Sequence, residues 1–180
     1  KRAKRKVAQL SAKLRFPNIR ASIDNEYVKG YWSLGFEIAP IIKKYRDKKI
    51  TLYMAASSGS TAVGALQGLQ QKLKREQLPS IVIVQTQSCH PLVDENQSEL
   101  KEKSLADAIV DRSMLRKPQL IKALDELQGN AVIVSNNDLK EARQNTLYQK
   151  FSWNSLLPLA AYEFSEKKDN SIHICITSGT

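Results

Sequence analysis

No apolar run in this sequence approaches the ~18 residues that a membrane-spanning helix needs, which excludes a helical membrane protein at the outset. A secretory leader is missing too: KRAKRK runs straight into VAQLSAKLRF, where Gln9, Ser11, Lys13 and Arg15 interrupt any apolar stretch. Cysteine is scarce. Cys89 and Cys175 are far apart and lack the spacing of a disulfide framework or a metal site, so they read as reduced thiols of a cytoplasmic protein. No cluster of His, Cys and acids at helical or loop spacing points to a metal. Acidic residues are absent between Lys1 and Arg20, where Lys1, Arg2, Lys4, Arg5, Lys6, Lys13, Arg15 and Arg20 gather, so much of the formal net charge of +10 is local. That basic run comes without zinc-finger spacing, an RNP signature or an aromatic-interleaved strand. It is expected to be the solvated face of a helix, with no nucleic-acid partner.

What is present suffices for one domain with a proper core: 180 residues, 42% of them hydrophobic. Val7, Leu10 and Leu14 mark one face of a helix with no N-cap ahead of it, and Phe16 and Pro17 stop it. Residues 19–23 alternate as a short strand. Residues 26–45 read as one amphipathic helix through Tyr27, Tyr31, Leu34, Ile38, Ile41 and Ile42, in which Pro40 is expected to kink or end the helix early. Residues 50–55 and 80–85 are apolar runs joined by a helix, the pattern of a parallel βαβ unit. A polar, mobile stretch is expected at 94–103, and a short helix or turn at 104–111. Helices are expected at 119–127 with Pro118 in the first turn, from a cap at Asn136, Asn137 or Asp138 to about Gln144, and from Asn154 or Ser155 to Glu163. Strands are expected at 131–135 and 171–177. This alternation predicts the α/β class, with a mainly parallel sheet flanked by helices.

The most informative stretch is TLYMAASSGSTAVGALQG, residues 51–68. It reads as a buried strand, a turn of small residues at Ser57, Ser58, Gly59, Ser60 and Thr61, and a helix from Ala62. Backbone N–H groups at a helix start point into the preceding turn, and the helix dipole favours an anion there. The four hydroxyls can add donors to phosphate oxygens. The plainer reading is a helix cap after a tight turn. Other candidates are weaker. Cys89 and His90 are neighbours, and on an extended strand neighbours point to opposite faces, which disfavours a nucleophile–base pair. His173 alternates with Ile172 and Ile174 and reads as a strand residue on the wetter face or a hydrogen-bonded core histidine. Trp32 and Tyr31 read as helix packing, and Trp153 as an anchor ahead of the last helix.

Taken in order, several segments resemble the C-terminal half of threonine synthase and its relatives in the fold type II (tryptophan synthase beta-like) family of pyridoxal phosphate enzymes. They are ASIDNEYVKGYWSLGFEI at 21–38, MAASSGSTAVGALQGL at 54–69, IVIVQTQSCHPL at 81–92, SLADAI at 104–109, AVIVSNNDLKEAR at 131–143 and CITSGT at 175–180. The resemblance implies the large-domain fold of that family and pyridoxal 5'-phosphate as cofactor. It implies that Ser57, Ser58, Gly59, Ser60 and Thr61 bind the cofactor phosphate, and that Ser178 faces the pyridine nitrogen. A neutral hydroxyl there leaves the ring a weaker electron sink, which suits elimination and replacement chemistry. By itself, Ser178 with Gly179 makes only a turn after a strand. Ser57 and Ser60 stand where the family loop commonly has glycine.

The family's cofactor-bearing lysine sits in a motif like Ser-Phe-Lys-Asp, and Ser11, Ala12, Lys13, Leu14 is no substitute for it. The expectation is therefore a single α/β domain over 1–180, part of a longer enzyme that supplies the lysine and inactive alone. The implied activity is that of a lyase on a small-molecule amino acid: threonine synthase, taking O-phosphohomoserine to threonine and phosphate. The alternatives are a threonine or serine dehydratase or a β-replacement synthase, and, in another class, a non-catalytic domain binding a phosphorylated metabolite. An exposed apolar face left by the missing part leads to a homodimer or to aggregation.

Overall fold

The computed structural model describes residues 2–17, 22–93, 102–166 and 170–177. In chain order the elements are α1 (Arg2–Leu14), α2 (Asn25–Lys29), α3 (Trp32–Lys44), β1 (Lys49–Ala55), α4 (Ser60–Lys72), β2 (Ser80–Thr86), α5 (Lys117–Glu126), β3 (Asn130–Val134), α6 (Asn136–Ala142), α7 (Trp153–Glu163) and β4 (Ser171–Ile176). The four strands form one sheet in the order β3-β2-β1-β4, and every pairing is parallel. The α/β class and the βαβ unit β1-α4-β2 are as the sequence predicts. Among the described residues no helix is long and apolar enough to cross a membrane.

Side chains alternate across the sheet, and the alternation divides the core in two. Ile50, Leu52 and Met54 of β1, Ile81 and Ile83 of β2 and Ile172, Ile174 and Ile176 of β4 face one layer, which α3, α4 and α5 cover through Ile38, Ile42, Ala65, Leu69 and Leu120. Tyr53, Val82, Val84, Val132, Val134 and Cys175 face the other, where α6 and α7 bring Leu139, Leu156, Leu157 and Ala160. Strands buried on both faces need continuous apolar runs, which is why β1 and β2 read as such.

Some expectations are corrected. The helix expected over 26–45 is two: α2 ends at Lys29, Gly30 and Tyr31 turn the chain, and α3 starts at Trp32. Pro40 does not end α3, which continues to Lys44 because its inner face is held against α4 by the buried Ile38, Ala39 and Ile42. The cap of α6 is Ser135, not residues 136–138: its hydroxyl accepts from Asp138 N, and the Asp138 carboxylate accepts from Ser135 N. The described part of the expected strand at 19–23 is a turn at Ser22 and Ile23. Of the two alternatives expected at 104–111, the structure has the turn, with a bend at Leu105–Ala106 and a turn at Asp107–Ala108. Most of the polar stretch at 94–103 lies outside the described residues. Helix α1 is present, yet Val7, Leu10 and Leu14 on its apolar face are all exposed.

Candidate functional site

Ligands of open α/β sheets bind at the carboxyl ends of strands where the winding reverses. Here β1 has β2 on one side and β4 on the other, so its carboxyl end is that point. The chain leaves β1 at Ala55 and makes the turn Ser57-Ser58-Gly59 before α4. Beside it, Ile176, the last residue of β4, is in register with Met54. Ser178, predicted to lie in the site, falls outside the described residues.

Gly59 is the N-cap of α4 and has φ +87°, a left-handed conformation open to glycine and costly for other residues. A Cβ there would also meet Leu120 Cδ1 at 2.9 Å and Arg116 Cβ at 3.0 Å. Among the described residues none of the four hydroxyl residues of the turn has positive φ, so the serines at 57 and 60 stand without backbone strain. The first intrahelical bond of α4 is Val63 N to Gly59 O at 2.9 Å. The N–H groups of the preceding first turn therefore point out of the helix end. Ser60 is buried, Ser57 and Ser58 are half-buried and Thr61 is exposed; the Ser58 and Ser60 hydroxyls lie 3.3 Å apart.

Neighbouring loops hold the turn in place. Ser57 Oγ accepts from Val110 N at 3.2 Å and Asp111 N at 3.1 Å, which fastens residues 110–111 over it. Its own proton remains available for donation. Gln85, fully buried at the carboxyl end of β2, donates from Nε2 to Ala56 O at 3.3 Å and accepts from Leu92 N at 2.8 Å. Arg116, at the N-cap of α5, lies against Gly59. The result is a turn of small residues at the N-terminus of a 13-residue helix, with hydroxyls beside its outward N–H groups, a geometry suited to an oxyanion.

Gln85 and Arg116 were not apparent from the sequence. A signal for Arg116 was there: Arg116 and Lys117 open a helix, where the dipole disfavours cations unless an anion is near. The Cys89–His90 pair stays apart from this chemistry. His90 Nδ1 is 3.2 Å from Thr86 O, and burial pushes the Cys89 thiol up, the reverse of what an activated nucleophile needs. His173 is a half-buried strand residue, with Nδ1 3.2 Å from the Tyr53 hydroxyl and Nε2 2.8 Å from Ser171 Oγ.

The family model described as pyridoxal-phosphate-dependent enzyme matches residues 1–155. The chain belongs to that family. Pyridoxal 5'-phosphate is the cofactor of the family. The threonine deaminase of T.th. is similar in structure with a TM-score of 0.62 and 15% identity, over 87% of this chain and 59% of that one. A pyridoxal 5'-phosphate-dependent aspartate racemase gives 0.60 and 13% over 98% and 56%. The processed form of threonine deaminase isoform 2 from Solanum lycopersicum gives 0.60 and 17% over 96% and 48%. At these identities the likeness is one of fold, and the chain spans roughly half the length of the structures it matches. A search of the curated proteins found no match.

Proposed function

We propose that Ser57, Ser58, Gly59, Ser60 and Thr61 hold the phosphate of pyridoxal 5'-phosphate and that the whole protein is an amino-acid lyase. The observation that carries the reading is the Gly59 cradle at the start of α4, where a Cβ would fill the space against Leu120 and Arg116. When bound, the cofactor supplies the electron sink that acidifies the Cα–H of an amino acid. This chain's part is binding and orientation. The first turn of α4 presents N–H groups and hydroxyls to the phosphate, Gln85 and Ser57 fix the turn to its neighbours, and Ser178 is assigned the pyridine nitrogen. A hydroxyl at that nitrogen does not enforce its protonation, which favours elimination over chemistry needing the strongest sink. The cofactor-bearing lysine is assigned to sequence outside these 180 residues.

In its specific form the activity is that of threonine synthase, releasing phosphate from O-phosphohomoserine and adding water. A dehydratase acting on threonine or serine is the second reading, supported by the two threonine deaminases among the structural neighbours. The full-length gene product loaded with cofactor tests both. Phosphate and threonine formed from O-phosphohomoserine establish the synthase; ammonia and a 2-oxo acid formed from threonine or serine establish the dehydratase. If neither substrate turns over and the protein fails to retain cofactor through dialysis, the lyase reading is abandoned.

A further inference from the structure

The loop at 104–111 crosses the carboxyl end of the sheet, held by side chains of other elements. Beyond β3, Asn136 Oδ1 accepts from Leu105 N at 2.9 Å. At the end of β2 the Thr86 hydroxyl donates to Ile109 O at 3.2 Å. Beyond β1, Val110 N and Asp111 N donate to Ser57 Oγ at 3.2 and 3.1 Å. The loop thus passes three strand ends in the order in which the sheet places them and finishes at the 57–61 turn.

Its two ends are secured differently. Buried Ala106 and half-buried Leu105 and Ile109 pack into the α6–α7 layer, and Asn154 Oδ1 accepts from Ala108 N at 3.0 Å. At the other end Val110 is 52% exposed, and the N–H groups of 110 and 111 both rest on one hydroxyl. Ser57 Oγ has two lone pairs and one proton: both lone pairs are taken, and among the described residues the proton meets no acceptor. A hydroxyl that accepts twice is polarised toward donation, and one that donates to an anion accepts more strongly. A glycine at 57, as the family loop commonly has, would leave both N–H groups without this acceptor.

We propose that Ser57 is a positioning residue that ties the order of residues 110–111 to occupancy of the turn. An anion seated there takes the Ser57 proton, and the hydroxyl then holds the two N–H groups more tightly. The inference rests on the phosphate reading of the turn and deepens it. With the turn empty the 110–111 end opens readily; with a phosphate group in place, free or carried by the cofactor, it stays closed on the turn. The coupling is reciprocal, so opening of the loop weakens phosphate binding by the factor by which phosphate suppresses opening.

Amide hydrogen exchange of the full-length protein freed of cofactor, followed by NMR with inorganic phosphate, pyridoxal phosphate or pyridoxal added, tests this. Any ligand slows exchange uniformly by adding stability, so residues 105 and 108 of the same loop serve as the internal reference. Both phosphates are expected to slow 110 and 111 by ~2- to 10-fold more than 105 and 108, the scale of one hydrogen bond, and pyridoxal to change nothing selectively. In Ser57→Ala the amides of 110 and 111 are expected to exchange ~2- to 10-fold faster and to lose the selective response, which Ser57→Thr restores. If calorimetry shows that wild type binds no phosphate, the reading of the turn fails and the coupling with it. If phosphate binds but slows all four amides equally, or if folded Ser57→Ala keeps the selective response, the turn stands and the Ser57 proposal is overturned. Selective slowing by pyridoxal equal to that by pyridoxal phosphate overturns it as well. A response to inorganic phosphate alone supports the coupling and removes the cofactor as the source. Should Ser57→Ala fail to fold, the wild-type comparison of 110 and 111 with 105 and 108 decides.

Discussion

Gly59 is the residue on which the site's geometry turns. Its φ of +87° and the Leu120 and Arg116 atoms 2.9 and 3.0 Å from a virtual Cβ act in the same direction. Gly59→Ala is therefore expected to cost about 1–3 kcal/mol of stability in urea denaturation, through strain and displacement of the α5 contact. An unchanged midpoint would show that the turn relaxes freely. This residue was legible in the sequence because a lone glycine among small residues between a strand and a helix has few other uses. The hydroxyls were legible only in part. Ser57 reads as a phosphate donor, yet its oxygen is occupied as acceptor for residues 110–111, more than fifty positions away. Long-range backbone pairing of that kind leaves no local pattern. Arg116 and Gln85 were hidden for the same reason, since their partners come from distant segments.

At the scale of elements, close approach of helices dominates. Helix α4 lies so near α3 that a Cβ at Gly68 would collide with Trp32 O, backbone that cannot swing aside as a side chain does. Gly68→Ala gains helix propensity of about 1 kcal/mol but forces the pair apart, so a net destabilisation of roughly 1–3 kcal/mol is expected by thermal unfolding. A rise in Tm would mean the α3–α4 contact is dispensable. The same contact explains why the sequence misjudged Pro40. A proline removes one helical N–H, a local cost, whereas Ile38, Ala39 and Ile42 bury a continuous face against the sheet layer. The break at Gly30–Tyr31 was missed because apolar residues on both sides keep a near-helical spacing across it. The four strands of the sheet, by contrast, were read to within about a residue, because continuous apolar runs have few alternatives in a sheet covered on both faces, whereas the short alternation at 19–23, part of it a turn at Ser22 and Ile23, misled.

The whole molecule buries titratable groups whose neutral form is the protonated one, which ties global stability to alkaline pH. Cys175 of β4 is pushed from the ordinary thiol value of 9.0 up to about 12, first by burial and then by the Glu163 carboxylate. Burial also raises the Tyr148 phenol, aided by its 2.7 Å hydrogen bond to Glu163, and raises the Cys89 thiol just beyond the end of β2, against an opposing pull from Arg112. These groups are neutral when protonated, and their folded-state values lie above their unfolded ones. The folded protein thus holds protons that the unfolded chain has already released, and stability falls wherever that difference exists. Their contribution is intact below about pH 9 and is lost as pH climbs toward the folded values, at a slope of at most ~1.4 kcal/mol per pH unit for each group. Urea unfolding at intervals from pH 7.5 to 11 is expected to show a flat free energy up to about 9 and a decline beyond it. The decisive comparison is Cys175→Ala. That variant loses some packing at every pH but declines less steeply above 9. Equal slopes in the two proteins would mean that the thiol on β4 reaches water in the folded state and that the α7 layer is open where the structure closes it.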